Sequence, residues 1–479
     1  MFPPRPAHVP ALPNFFIHYG IYLNLAKCEI VGSDPVADFP EMRRIAWDDV
    51  VHLGVHCGRP GPSRSAFVDR IVEQAATQIA AFAAVASHDP LAGLTLLRMC
   101  GLRAALNFHL RAMGPDPGWQ RVEDCLTIHA ETFVATLPSA EARQQCALPL
   151  RFGGFGLCDI TTIAPTAHAA AVLTARAIIP MIPAEWAVTA AADPSLAPFP
   201  TVTAAMLAGI TQEAPVVRGQ RTWTSLMNAA MLEDLVAKAS LTDKARLSSL
   251  QAKTTSLWLS PTPASCDARV WMAPALFPTA ARLRLGAPVR ELPAPCLRCA
   301  ERKGIMTNRD LYGHHSLCCM IGGSRCLLHN AVVNQLVADA AFGMLHPVRE
   351  ARVFTDSPRM DITIRTGRRE QLVDVAFSCP FRETGNCLAK AAETPGGWAT
   401  AYEATKVARY GHLLGPTQDL IPCVFDTFGA AGATARPFLA RVAGAFQRRL
   451  GERTGRLVFF TRLMTLIVSK VAELVVSEA

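Results

Sequence analysis

Four side chains with soft metal-binding atoms lie close together in the sequence. Cys296 and Cys299 are separated by two residues, and after fifteen more residues His315 and Cys319 are separated by three. Two thiolates at this spacing can bind one ion from a tight turn, and a His and a Cys four positions apart share one side of a helical turn. The pattern predicts one structural zinc ion in a tetrahedral site.

The second half of this ligand set has two possible registers. His314 and Cys318 have the same spacing as His315 and Cys319, shifted by one residue. Cys326 is a further thiol just downstream. The spacing alone leaves the register open, although it favours a metal site over thiols clustered by chance.

Three carboxylates follow this cluster. Asp361 and Asp374 are separated by twelve residues within apolar runs that predict two strands, and Glu350 precedes them. Neighbouring strands would bring both aspartates to one end of a sheet, where Mg²⁺ or Mn²⁺ would relieve their repulsion and activate water for attack on a phosphodiester. Isolated acids are usually solvated, but their position after the cysteine cluster favours a catalytic role.

Basic residues flank both groups. Arg298, Arg302 and Lys303 surround the first thiol pair, and Arg368 and Arg369 lie between the two aspartates. Such clusters can bind phosphates, which adds affinity for a nucleic acid without recognition of its sequence. A solvated turn is the alternative for Arg368 and Arg369.

The elements that must position these residues follow from the pattern along the chain. Short extended pieces precede residue 62, and apolar residues at three- and four-residue spacing predict helices from Ser63 to about Thr136. An alanine- and proline-rich stretch covers 161–281. Strands at Asp361–Arg365 and Gln371–Phe377, a helix at Trp398–Leu414 and a strand at Leu420–Phe425 then predict a small α/β module, and basic helices end the chain.

Composition limits the class of protein. The 479 residues are 50% hydrophobic, which excludes wholesale disorder, and the formal charge of +8 weakly favours a polyanionic partner. The 15 cysteines are mostly isolated outside the cluster, as expected for reduced thiols and not for a secreted disulfide framework. No apolar run predicts a membrane span or a secretory signal, and no small-molecule substrate is evident.

These motifs together resemble the C-terminal part of non-LTR retrotransposon polyproteins, whose endonuclease is restriction-enzyme-like. Four features follow that family's order along the chain. They are the run from Leu283 through RLGAP, the Cys and His spacing, the triplet Leu328-His329-Asn330, and the aspartates Asp361 and Asp374. The resemblance implies a PD-(D/E)xK-type fold in which Asp361 and Asp374 bind the metal ion. It also implies contact with nucleic acid for His329 and Asn330.

The N-terminal region resembles the same family. Tyr19–Glu29, which includes Lys27, looks like the end of a reverse-transcriptase palm, and Leu53–Val55 looks like the primer grip. The resemblance implies DNA and RNA partners, a family RNA-directed DNA polymerase activity, and a nuclear location over a cytoplasmic one. The family's Tyr-x-Asp-Asp loop should precede Lys27 and is not in this chain, so we expect no DNA synthesis from it.

The resemblance also implies an organisation for an α+β and α/β multidomain protein. The expected segments are the end of the palm at 1–62, a helical thumb at 63–160, a helical linker at 161–281, a CCHC zinc knuckle at 282–330, and the endonuclease domain at 331–479 with its basic C-terminal helices.

The chain departs from the family pattern at three positions. Leu328 replaces the Arg of an Arg-His-Asn triplet, Met360 replaces the Pro before Asp361, and Ala376 replaces the Lys of a D-x-K motif. A lysine from another element can reach the same phosphate, and Lys406 is preferred over Lys390 for this role. Two functions remain open: a DNA-nicking enzyme, and a zinc-containing nucleic-acid-binding remnant without catalysis.

Overall fold

The computed structural model of the chain describes residues 29–31, 43–52, 54–56, 61–134, 139–178, 220–260, 268–304, 307–319, 321, 324–351, 359–381 and 386–477. These residues form a helix-rich α+β structure with small sheets. Their contacts divide them into two compact units, one within 1–77, 104–123 and 160–220 and the other within 78–103, 124–159 and 221–479. The predicted five-part organisation stays a prediction.

The strands form one sheet of four strands and three pairs of short strands. In chain order they are β1 (Glu29–Val31), β2 (Arg43–Ile45), β3 (Val51–His52), β4 (Val55–His56), β5 (Ala294–Pro295), β6 (Asn308–Arg309), β7 (Pro347–Ala351), β8 (Met360–Thr366), β9 (Arg369–Ser378) and β10 (Gln418–Asp426).

The helices account for most of the described residues. In chain order they are α1 (Pro62–Ala86), α2 (Pro90–Leu96), α3 (Leu102–Met113), α4 (Gln120–Val134), α5 (Ala140–Ala147), α6 (Ile160–Ile178), α7 (Gln220–Lys238), α8 (Leu241–Leu250), α9 (Phe277–Leu285), α10 (Leu297–Lys303), α11 (His314–Cys318), α12 (Ser324–Phe342), α13 (Cys387–Glu393), α14 (Gly397–Tyr410), α15 (Ala435–Leu450) and α16 (Gly455–Val476). None of the helices in the described part of the chain is both long and apolar enough to cross a membrane.

The sheet that carries the predicted acids has the strand order β10-β9-β8-β7. Strands β8 and β9 form a hairpin in which Thr366 pairs with Arg369 across the two residues Gly367 and Arg368. Gly367 has a φ of +61°, a conformation that costs little only in glycine. Strand β10 then joins β9 in parallel, because the intervening helices α13 and α14 carry the chain back across the sheet.

The predicted α/β module is confirmed in its order of elements. The strands expected at Asp361–Arg365 and Gln371–Phe377 are β8 and β9, and the helix expected at Trp398–Leu414 is α14, which ends earlier, at Tyr410. Helix α14 buries Ala399, Glu403 and Tyr410, and it packs on β9 and β10. Helices α12, α15 and α16 pack against one another.

A buried arginine fixes the glycine-rich loop that precedes α6. Arg284, which is fully buried, donates hydrogen bonds to the carbonyl oxygens of Leu150 and Gly154 and to Ser256 Oγ. A Cβ atom at Gly154 would lie 1.9 Å from the carbonyl oxygen of Leu148, so only glycine fits there. Burial lowers the pKa of Arg284 to about 9.

Candidate metal centre and acidic site

Short strands and helical turns hold the four predicted metal ligands. Strands β5 and β6 pair in antiparallel fashion, and the Cys296 amide just after β5 donates a hydrogen bond to the Thr307 carbonyl oxygen over 2.8 Å. Cys299 lies in the first turn of α10, which ends at Gly304 with a φ of +62°. His315 lies in α11, and Cys319 follows that helix directly.

These four side chains meet at one point. One ligand atom from each lies within 4.8 Å of all the others, so the group can hold a metal ion. Cys299 Sγ lies 3.7 Å from Cys319 Sγ and 3.6 Å from His315 Nε2. With metal bonds of about 2.3 Å to sulfur and about 2.1 Å to nitrogen, a tetrahedral site separates these atoms by about 3.8 and 3.6 Å. The donor set and its spacing therefore fit a tetrahedral ion.

The structure resolves the register that the sequence left open. Both oxygens of the Asp310 carboxylate accept hydrogen bonds from backbone amides, including those of His314 and His315, over 3.0 and 2.7 Å. This turn directs His315 toward the thiols. Cys318, one residue before the ligand Cys319, has its Sγ 2.7 Å from Cys379 Sγ instead.

The two predicted aspartates lie on neighbouring strands. The hairpin register pairs Ile362 with Val373, and one step further places Asp361 of β8 opposite Asp374 of β9. Residues opposite one another on antiparallel strands project from the same face of a sheet. Asp361 Oδ2 also accepts a hydrogen bond from the Val375 amide over 2.7 Å, which fixes this carboxylate against β9.

Lys406 of α14 reaches the second aspartate. Its Nζ lies 2.9 Å from Asp374 Oδ2, and both side chains are largely buried, at 15% and 11% exposed. Burial raises the pKa of Asp374, although the charge of Lys406 opposes this. Burial would by itself lower the pKa of Lys406, but the attraction of Asp374 outweighs it and the pKa is raised. The site therefore contains a cation held against an acid.

A histidine binds the first aspartate. His329 Nε2 of α12 lies 3.2 Å from Asp361 Oδ2, and its Nδ1 lies 3.3 Å from Asn330 Oδ1. Both ring nitrogens thus face oxygen atoms, an arrangement that suits the doubly protonated ring. The hydrogen bond to Asp361 raises the pKa of His329.

Glu350 is on the adjacent strand, but its carboxylate is engaged elsewhere. It lies in β7 between Arg349 and Ala351, which pair with residues on either side of Asp361. Its φ is +51°, and its oxygens lie 3.0 Å from Arg349 Nη2 and 3.5 Å from Arg359 Nη1. Among the described residues, only the cysteine and histidine cluster brings three or more such ligand atoms within 4.8 Å of one another.

The predicted nucleic-acid contacts are spread over several elements. Arg302 is exposed on α10, and Arg368 is exposed at the turn between β8 and β9. Arg369 at that turn lies 2.8 Å from Asp419, in an exposed ion pair. The side chains of Arg298 and Lys303 lie outside the described part of the structure, and so does Lys27.

The three positions that differ from the pattern of the resembled family are buried. Leu328 and Met360 are buried, at 3% and 0% exposed, so apolar side chains at these positions contribute to the core. Ala376 is also buried, on β9. Lys390, the alternative lysine, is exposed on α13.

Two contacts of the site had only a weak signal in the sequence or none. Tyr402 and Tyr410 lie four residues before and after Lys406, and their ring centroids lie 5.9 and 6.0 Å from its Nζ. Helical spacing could have indicated this pair. The Val375 amide that binds Asp361 carries no side-chain signal at all.

Comparison with models of known protein families gives no match, and no curated protein is detectably similar. The function of this chain must therefore be inferred from the chemistry of its two candidate sites. One is a soft-ligand metal centre, and the other is a group of two acids, a lysine and a histidine.

Proposed function

We propose that residues 282–479 form a zinc-stabilised endonuclease module that nicks DNA with the help of Mg²⁺ or Mn²⁺. The observation that carries the proposal is the convergence of Asp361, Asp374 and Lys406 from three different elements. Burial of an acid is costly, and acids with shifted pKa values are concentrated at functional sites. Two acids on adjacent strands can hold a divalent ion that activates water for attack on a phosphodiester, and a lysine beside them can bind the phosphate.

Each residue has a role in this proposal. Asp361 and Asp374 bind the divalent ion through oxygen ligands, which such ions prefer. A bound ion would withdraw charge from the scissile phosphate and from the attacking water. Lys406 binds a phosphate oxygen as its contact with Asp374 loosens. His329 binds the Oδ2 atom of Asp361 and would orient this carboxylate toward the ion.

The metal centre has a structural role in the proposal. Three thiolates and one imidazole in tetrahedral positions are typical of structural zinc, and a fully protein-ligated site leaves no position for a substrate. The ion would join α10 to α11, two short helices that have little core of their own. Zinc binding would thus supply much of the folding free energy of this segment.

The wider proposal is that the chain is part of a retrotransposon reverse transcriptase and endonuclease, with DNA and RNA as its partners. The ordered motifs from Leu283 to Asp374 and the upstream resemblance support it. Nuclear localisation would follow from the need to reach chromosomal DNA.

A second function is a nucleic-acid-binding protein without catalysis. The observation that favours it is the engagement of Glu350 by Arg349 and Arg359, which leaves two acids for the metal ion. The exposed arginines would then act by binding phosphates alone.

Nicking of supercoiled plasmid by the full chain, with Mn²⁺ or with chelator, separates the two functions. Asp361→Asn and Asp374→Asn should each lower the nicking rate by at least about 100-fold, since a single electrostatic contact to a transition state can contribute that much. Glu393→Gln is the matched control, because Glu393 is exposed at the end of α13.

The control variant should nick like the unmodified chain. Equal background from the unmodified chain and both aspartate variants would reject the enzyme and leave the binding function. The zinc content of each aspartate variant is measured in parallel, because loss of zinc would reveal a folding defect. In that case, the dependence of nicking by the unmodified chain on Mn²⁺ decides between the two functions.

A further inference from the structure

A cleft of about 390 Å³ lies beside the metal centre and is separate from the acidic site. Its size is within the range of about 300–1,000 Å³ that small ligands occupy. One wall carries the aromatic residues Tyr312, His314, Phe381 and Phe428, and the other carries polar groups at the start of α8. The roles proposed above use none of these side chains.

The aromatic wall is a row of ring contacts. The ring of His314 stacks on Tyr312 at 5.8 Å between centroids and 22° between planes, and it packs on Phe381 at 4.2 Å. Phe381 meets Phe428 edge to face at 5.8 Å. The outer part of the row is accessible, because Tyr312 is 43% exposed and the His314 side chain is 32% exposed.

Hydrogen bonds to the Asp310 carboxylate hold the turn that carries Tyr312. The Tyr312 amide donates a hydrogen bond to Asp310 Oδ1 over 2.9 Å, and the same carboxylate accepts hydrogen bonds from the amides of His314 and His315. A ring held this way loses little conformational entropy when a ligand stacks on it.

The polar wall carries one acid whose charge is already balanced. Asp243 Oδ1 accepts hydrogen bonds from Arg246 Nε and Nη2 over 3.2 and 3.0 Å, and its Oδ2 accepts one from Ser240 Oγ over 2.8 Å. The Asp243 side chain is still 42% exposed, so further lone pairs of its carboxylate face the solvent. Such a wall favours a neutral group with N–H donors and disfavours a phosphate.

The cleft is also close to the acidic site along the chain. Asp374 lies in β9, and Phe381 follows seven residues later, which limits the distance between them to about 25 Å. Phe428 follows the end of the adjacent parallel strand β10. A strand of nucleic acid at the aspartates could therefore reach the cleft within several nucleotides.

We infer that this cleft binds one unpaired base of a single-stranded nucleic acid, stacked on Tyr312 with its polar edge toward Asp243. Every base has a flat face that stacks on an aromatic ring, and the exocyclic amino groups of bases donate to carboxylates. A base inside a duplex presents neither its face nor its pairing edge. The inference rests on the proposed function, because it assumes that the chain binds nucleic acid.

The test compares two probes of one sequence, a labelled single-stranded 20-mer and the same strand in a duplex, by fluorescence anisotropy with the full chain. Tyr312→Leu should weaken binding of the single strand by about 5- to 100-fold, the usual effect of losing one stacked base. Binding of the duplex should stay within about twofold. Phe342→Leu is the matched control, because Phe342 is 42% exposed outside the cleft.

Two further measurements make the outcome decisive. Tyr312→Trp keeps a flat ring and should retain the affinity for the single strand, and zinc content should be unchanged in all three variants. Two results would overturn this inference but not the proposed function. In one, Tyr312→Leu binds the single strand as tightly as the unmodified chain does. In the other, Tyr312→Trp loses as much affinity for the single strand as Tyr312→Leu does. Absence of binding to either probe by the unmodified chain would overturn the proposed function as well.

Discussion

Lys406 and Asp374 form the pair on which the acidic site depends at the scale of single residues. An ion pair this well buried is worth little compared with apolar packing, but the loss of one partner leaves an uncompensated charge. The pair therefore costs stability to maintain and is sensitive to single substitutions. This is the pattern expected where a site has been kept for binding or chemistry.

Lys406→Met should lower the free energy of unfolding by about 3 kcal/mol, because Asp374 is left buried without its cation. Lys406→Met combined with Asp374→Asn should cost less than the lysine variant alone, since no charge then remains to be solvated. Urea unfolding of the single and double variants measures this coupling. Additive losses would show that the two side chains do not interact.

Asp426 at the end of β10 is a buried acid that the sequence did not single out. Its Oδ1 accepts hydrogen bonds from the amides of Phe428 and Ala430, both over 2.9 Å, and so holds the turn that carries Phe428. Burial raises the pKa of Asp426 to about 6, although these hydrogen bonds oppose the change. The folded chain therefore holds this proton more tightly than the unfolded chain, whose aspartates titrate near pH 4.

The contribution of Asp426 to stability should be fully present below about pH 4 and lost as the pH rises through about 6. Asp426→Asn cannot ionise but still offers an oxygen to the turn. From pH 4 to pH 7, the unmodified chain should lose up to about 3 kcal/mol of unfolding free energy relative to this variant. Urea unfolding at each pH checks this, and a constant difference would contradict it.

At the scale of elements, the cysteine and histidine cluster joins segments that are too short to be stable separately. Helices α10 and α11 span Leu297–Lys303 and His314–Cys318, each at most seven residues long, and β5 and β6 have two residues each. Isolated helices of this length are unstable in water. A bound ion can hold them, as in other small metal-dependent folds.

Cys296→Ser combined with Cys299→Ser should lower the zinc content of the purified chain from about one ion per molecule to none. Elemental analysis measures this directly. Cys326→Ser is the control, because Cys326 is an exposed free thiol near the same segment. Unchanged zinc in the double variant would reject the ligand assignment.

Elemental analysis also tests whether the second pair of ligands is His315 and Cys319 or His314 and Cys318. Cys319→Ser should release the ion, while Cys318→Ser should keep it, because Cys318 lies against Cys379 and not among the ligands. The opposite result would assign the metal to the alternative register.

At the scale of the whole molecule, the basic turn between β8 and β9 is separated from the two aspartates. Arg368 lies at the turn of the hairpin, and Asp361 and Asp374 lie five residues along β8 and β9 from Thr366 and Arg369, the pair that flanks this turn. This separation is about 17 Å at the usual rise of a strand. Under the proposed function, the turn would bind a phosphate several base pairs from the proposed site of cleavage.

Arg368→Ala should reduce the slope of log K against log salt for duplex DNA by about 0.9, the contribution of one phosphate contact. Arg143→Ala is the control, because Arg143 is also exposed but lies outside the hairpin. Fluorescence titrations from 50 to 200 mM salt provide the slopes. An unchanged slope in Arg368→Ala would place the phosphate contacts elsewhere.

Features that depend only on neighbouring residues can be predicted from the sequence of this protein. Local periodicity and turn geometry predict three such features. They are the ligand spacing of Cys296 and Cys299, the strands around Asp361 and Asp374, and the helix that carries Lys406. These are interactions over a few residues, so their signal is present in any short window of the chain.

Contacts between side chains of distant segments depend on the tertiary structure instead. The preference for Lys406 over Lys390 came from a helical face, but its approach to Asp374 depends on how α14 packs on the sheet. The hydrogen bond of His329 to Asp361 and the packing of His314 on Phe381 likewise join segments that are distant in the sequence. The direction of a side chain at such contacts is set by packing across the whole unit, so a local sequence pattern does not predict it.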